Sequence, residues 1–266
     1  MKLHSEHRSS RSVPERFTTS GLRLASAVSL AILMTGCAGE SNRKLFQRYE
    51  AQFSAKREQF KKIAGILPPA GSVKEASSAS LSPKPVYDAK NSASNNTEIV
   101  MYDQLLDPDI SSDGNNRRLD LLLSDVLLNA IRWTGPKNPM SGSALDRHNP
   151  DMEQTLKQAL NERYLVVIRP VSFVAPVAID EGTFKPATAD IEGFVVDLSG
   201  DKVVGSFRFS AHSASTVQYT TKKSDNSATR QSQLEEFAYS SLYVEARNKL
   251  KPLLEQTTGG SFTLER

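Results

Sequence analysis

The stretch IEGFVVDLSGDKVVGSFRFSA, residues 191–211, decides the fold. Two runs rich in Val, Ile and Phe, Ile191–Leu198 and Lys202–Ala211, flank Ser199-Gly200-Asp201. Turn residues between two apolar runs predict a β-hairpin, and so short a link forces antiparallel pairing. In the second run Phe207 and Phe209 alternate with Ser206, Arg208 and Ser210, so one face of that strand packs and the other is wet.

Upstream, Tyr164–Ile168 (YLVVI) is a β-branched apolar run suited to a central strand. Asn149-Pro150-Asp151 supplies an N-cap, a first-turn proline and a first-turn acid, and opens a helix to about Arg163. A second helix is written by Leu119, Leu122, Leu123, Val126, Leu127, Ala130 and Ile131 at i, i+3, i+4 spacing, widened by Leu121 and Leu128. Thr97–Tyr102 reads as a first strand. Downstream, Ser232-Gln233-Leu234-Glu235 is a capping box opening a last helix with Leu234, Phe237, Ala238, Leu242, Ala246 and Leu250 on one face. Pro252 is expected to end or kink it, and the tail 258–266 to be frayed. Together these elements predict an α+β domain at 97–257, with an antiparallel or mixed sheet of about three to five strands and helices mainly on one face.

The residues before this domain have their own organisation. Residues 44–67 carry a stripe of Phe46, Tyr49, Phe53, Phe60 and Ile63 among Lys44, Arg48, Lys56, Arg57, Lys61 and Lys62. Such a basic amphipathic helix either lies on a lipid surface, pairs with a partner helix, or docks its aromatic stripe on the main domain. Pro68-Pro69 ends it. Residues 68–96, rich in Ser, Ala, Pro and Asn, read as a flexible, disordered linker with a reach of roughly 30 Å.

The first residues read as an address. Lys2, Arg8, Arg11, Arg16 and Arg23 precede an uncharged apolar run, Leu24–Met34, too short to span a bilayer as a helix. Met34-Thr35-Gly36-Cys37 follows, and Cys37 is the single cysteine of the 266-residue chain. This resembles the lipobox of bacterial lipoproteins, although that family prefers Leu where Met34 stands. The resemblance implies a signal peptide at 1–36, cleavage before Cys37, a diacylglycerol on its sulfur, an N-acyl chain on its new amino group, and a lipidated N-terminus at 37–43. Ala38, rather than Asp, implies sorting to the outer membrane of a Gram-negative cell, facing the periplasm or the cell surface. The net charge of +3 belongs to the signal: residues 37–266 balance 28 basic against 28 acidic residues, so nothing in the charge argues for a nucleic-acid partner.

Candidate chemistry is sparse. Asp109-Ile110-Ser111-Ser112-Asp113-Gly114, with Asp120 following, resembles the first half of an EF-hand or dockerin-type calcium loop. That implies Asp109, Ser111, Asp113 and Asp120 as ligands of Ca²⁺. The alternative is an acidic turn that offsets the dipole of the next helix. The mature histidines, His148 and His212, have no acidic or Cys partner nearby in sequence, and no Walker loop, G-x-S-x-G or H-E-x-x-H occurs. The loop 134–149 is long, with Trp133 and Met140 offering apolar contact area as a binding surface. The span Tyr164–Val203 resembles, in its strand-turn-strand pattern, the small α/β domains of envelope-assembly lipoproteins. The expected function is therefore a lipid-anchored, non-enzymatic binding or assembly module, with membrane lipid and an envelope protein as partners. An anchored hydrolase with a dispersed site and a calcium-dependent adhesion domain are the alternatives.

Overall fold

The computed structural model describes residues 39–110, 126–180, 183–216 and 227–264. Its centre is the hairpin of residues 191–211. Strand β6 (Thr188–Asp197) pairs antiparallel with β7 (Lys202–His212), and Asp201 takes a positive φ of 48° in the turn. Asp tolerates that backbone better than most residues. The Asp197 carboxylate steadies the turn by accepting from the Ser199 N–H, 2.9 Å, and Oγ, 2.7 Å. Gly193 is needed for packing: a Cβ there would come within 2.0 Å of the Phe207 ring, which lies over it from the facing strand.

The apolar run at 164 extends into β3 (Tyr164–Val174), antiparallel to β6, and β2 (Thr97–Met101) lies parallel to β3. The four-stranded sheet is therefore mixed, in the order β2-β3-β6-β7. Alternation divides the sheet's side chains between two cores. Val100, Leu165, Val167, Phe194 and Val196 face one helical layer. Ile99, Val166, Ile168, Ile191 and Phe207 face the other side.

Helices lie mainly on one face, as expected. That layer contains α1 (Asn42–Ile66), α2 (Tyr102–Leu106), α3 (Val126–Trp133), α4 (Gly142–Leu145) and α5 (Pro150–Leu160). The α1 stripe of Phe46, Tyr49, Phe53, Phe60 and Ile63 is buried in this core, so its aromatic face docks on the domain rather than on lipid. Leu67, preceding Pro68, leaves helical backbone and ends α1. Residues 119–125 of the predicted second helix lie outside the described residues; Leu127, Leu128, Ala130 and Ile131 are buried on α3. On α5, Asn149 caps as expected, its side chain accepting from the Asp151 N–H.

The opposite face is covered by one long helix, α6 (Ser227–Thr258), which buries every fourth residue from Leu234 to Leu254. Three expectations are corrected here. Ser232 is interior to α6 and caps nothing. Pro252 does not end the helix, because burial of Leu250, Leu254, Thr257 and Thr258 outweighs the one hydrogen bond a proline removes. Phe237 is 44% exposed rather than on the packed face.

The tail is not frayed. Strand β8 (Ser261–Thr263) pairs parallel with β1 (Val86–Asp88), and Phe262 and Leu264 are buried beside Tyr87. Residues 68–96 are likewise packed on the domain instead of forming a tether. Val73 and Tyr87 are buried, Ser77 bridges to Ser206 of β7, and Ala79 N–H donates to Thr257 O. A Ser/Ala/Pro-rich segment has few apolar side chains to bury, but its backbone groups find partners. A short hairpin, β4 (Val177–Asp180) with β5 (Thr183–Lys185), extends beyond β3.

Candidate functional surface

Sequence reading placed the binding surface at Trp133 and Met140, and the structure brings both to one side of the domain. Trp133 ends α3 and stacks on Phe46 of α1, ring centroids 6.3 Å apart. Asn138 organises the loop beyond it: its amide donates to Trp133 O, and its Oδ1 accepts from the Met140 N–H at 2.8 Å. Met140 and Leu145 pack against the same core. Trp133 closes that core yet stays half-buried, at the floor of a depression of about 230 Å³ lined by Phe46, Arg43, Gln47, Pro136 and Leu145.

The start of the described chain is sewn to this loop. Asn42 N–H donates to Arg147 O and its side-chain amide to Ala144 O, both at 2.9 Å. His148 Nδ1 donates to the carbonyl of Glu40 at 2.9 Å. Arg43 pairs with Asp146, and Arg48 bridges Glu40 and Glu153, each at 3.0 Å. His148 is thus held by a backbone carbonyl, while exposed His212 ends β7 on a separate element.

Cys37 lies outside the described residues, as do Ser111, Asp113 and Asp120 of the proposed calcium loop. Asp109 is described, and both its carboxylate oxygens accept from Arg57, at 2.8 and 3.1 Å. The Arg57 hydrogen bond, opposed by burial, holds the Asp109 carboxyl below its ordinary range. Among the described residues, both of its oxygens are engaged by the Arg57 guanidinium.

Two arrangements escaped the sequence reading. The first is a ladder of charges across three strands. Arg169 of β3 pairs with Glu192 of β6 at 2.7 Å, and Arg208 of β7 pairs with Asp190 of β6. These groups grip the segment after α1: Glu192 accepts from the Val73 N–H at 2.9 Å, Arg169 donates to Pro69 O at 3.1 Å, and Arg208 reaches the carbonyls of Gly71 and Val73. Arg169 also lies over the Phe194 ring, 4.8 Å from its centroid. The available signal was a charge set inside an apolar strand, Ile168-Arg169 and Ile191-Glu192, which demands a partner.

The second is Glu162, 4% exposed, with neither carboxylate oxygen hydrogen-bonded. Burial pushes its carboxyl up to about 8, against the pull of the Lys56 ammonium. Burial in turn lowers Lys56, with Asp201 and Glu162 opposing. Lys56 borders an open hollow of about 400 Å³ shared with Gln59, Lys62 and Asp201. Nothing in the spacing of Lys56 and Glu162 announces that each feels the other's charge.

A third feature is apolar. Val174, Val177 and Ile179, at the end of β3 and on β4, are 57%, 54% and 62% exposed. The β4–β5 hairpin buries Phe184 against Leu234 and Ala238 of α6 on its other side.

No family model matches this chain, and no curated protein or solved structure does so either.

Proposed function

We propose that this chain is a lipid-anchored binding or assembly module of a bacterial cell envelope, held on the outer membrane and facing the periplasm. The observation that carries the reading is Met34-Thr35-Gly36-Cys37 placed directly after a positive segment and the apolar run Leu24–Met34. The binding part is supported by Val174, Val177 and Ile179, three large apolar side chains more than half exposed on one short arm. Large apolar groups exposed so close together along the chain fit contact with a protein partner. The test is labelled palmitate uptake and density-gradient separation of the two membranes. The wild-type chain takes the label and bands with the outer membrane, whereas Cys37→Ala stays unlabelled and unprocessed. A Cys37→Ala chain that is cut and released as soluble protein would overturn the reading.

A further inference from the structure

The same anchor, combined with the contacts at the start of the described chain, fixes which side of the domain meets the membrane. This step rests on the lipidation of Cys37 proposed above. Cys37 is two residues before Gly39, and two Cα–Cα steps of 3.8 Å reach at most about 7 Å. From Glu40 onward the chain leaves no slack: the Glu40 carbonyl holds His148, and Asn42 makes two hydrogen bonds to the segment 144–147. A spacer placed at 68–96 would lie far downstream of these contacts, and those residues are packed on the domain. No free length therefore separates an acyl chain on Cys37 from the surface formed by residues 39–48 and the loop 134–149.

The chemistry of that surface suits a phospholipid headgroup layer. Residues 39–50 and 134–149 carry Arg43, Lys44, Arg48, Lys137 and Arg147 against only Glu40, Glu50 and Asp146. Arg43 and Arg48 are spent on ion pairs, whereas Lys44, Lys137 and Arg147 are exposed and make no ion pair among the described residues. Ammonium and guanidinium groups close to a bilayer pair with its phosphates. Trp133, half-buried in the middle, has the apolar body and polar N–H that sit well at a membrane interface.

We infer that the mature domain rests directly on the lipid surface, with residues 39–48 and the loop 134–149 as its membrane-facing side and phospholipid headgroups as its ligand there. The loop at 134–149 is then a lipid contact, and the apolar arm at 174–179 is left for a protein.

Trp133 is the only tryptophan in the chain and reports on this directly. The full lipidated protein is reconstituted in vesicles of phosphatidylethanolamine and phosphatidylglycerol, with and without nitroxide-labelled headgroups. A bimane probe on Asn248→Cys, exposed on α6 and across the sheet from α1, is the control. Its thiol is the only one free when Cys37 is acylated. The expected result is a large loss of Trp133 emission to the headgroup quencher with the bimane unaffected. Equal quenching of the two probes, or quenching of neither, in protein that carries labelled palmitate and floats with the vesicles overturns the orientation and leaves the anchor intact. Protein that takes no label and does not float overturns both.

Discussion

Arg169 Nη2 lies 2.7 Å from Glu192 Oε2 on the neighbouring strand, with the two side chains 9% and 0% exposed. Burial alone would raise the Glu192 carboxyl. The Arg169 guanidinium and the N–H groups of Val73 and Gly71 outweigh it and hold the group below its ordinary value. Breaking such a pair strands a charge without solvent, at a cost of about 3–5 kcal/mol, while replacing both partners with apolar groups costs much less. Glu192→Gln should lower the unfolding free energy in urea by that amount and expose residues 69–73 to protease. An Arg169→Met, Glu192→Leu double variant should recover part of the stability and none of the protection.

Glu162 should make the protein less stable as the medium becomes more alkaline. Its carboxyl is raised from 4.5 in the unfolded chain to about 8 when folded. Between those values the native state holds a proton that the unfolded state has released, so unfolding stability falls as pH rises through the window and levels off above it. The full penalty is at most a few kcal/mol. Comparing urea unfolding at pH 5 and pH 8 isolates it. Glu162→Gln should be more stable than wild type at pH 8, with the difference shrinking at pH 5; a constant difference would refute the assignment.

These two sites mark the limit of what periodicity can show. The hairpin at 191–211 and the strand at 164 are legible because burial of alternate side chains imposes a two-residue period on the sequence itself. The α5 start is legible because its cap is local. The partners of Pro69, Gly71 and Val73 are Arg169, Glu192 and Arg208, about a hundred or more positions away, and backbone carbonyls look alike in every sequence. That is why a packed segment at 68–96 reads as a tether. Trp133 and Met140 were legible only as apolar residues around a long link after a helix; that Trp133 stacks on Phe46 depends on how α1 packs on α3. The influence of Lys56 on Glu162 was not legible, because it depends on how α1 packs beside the residues after α5.

Asp109→Asn should cost about 2–3 kcal/mol, in line with a charge-assisted two-point hydrogen bond to Arg57. The Asp109 carboxyl is held low, so its contribution is present at neutral pH and lost as the pH falls below about 4. The melting temperature read with chelator and with millimolar calcium checks the role: an equal loss in both means the carboxylate serves Arg57. A wild-type midpoint that climbs with calcium, and an Asp109→Asn midpoint that does not, would make it a cation ligand.

Phe262→Ala should destabilise by about 3–5 kcal/mol, the usual range for emptying a fully buried phenyl site. Removing residues 261–266 should do more, since Val86–Asp88 then lose their pairing strand and Tyr87 its cover. Limited proteolysis should find residues 74–96 resistant in the wild type and cut early in the truncated chain.

The pairing of Val86–Asp88 with Ser261–Thr263 also sets an order of events. Ser261–Thr263 are needed to seal a segment that lies 175 positions earlier, Val86 pairing with Ser261. Contacts between such distant stretches form late and slowly. A chain made only as far as α6 therefore lacks the strand that covers Val86–Asp88, and that segment stays unsealed until residues 261–263 have been added.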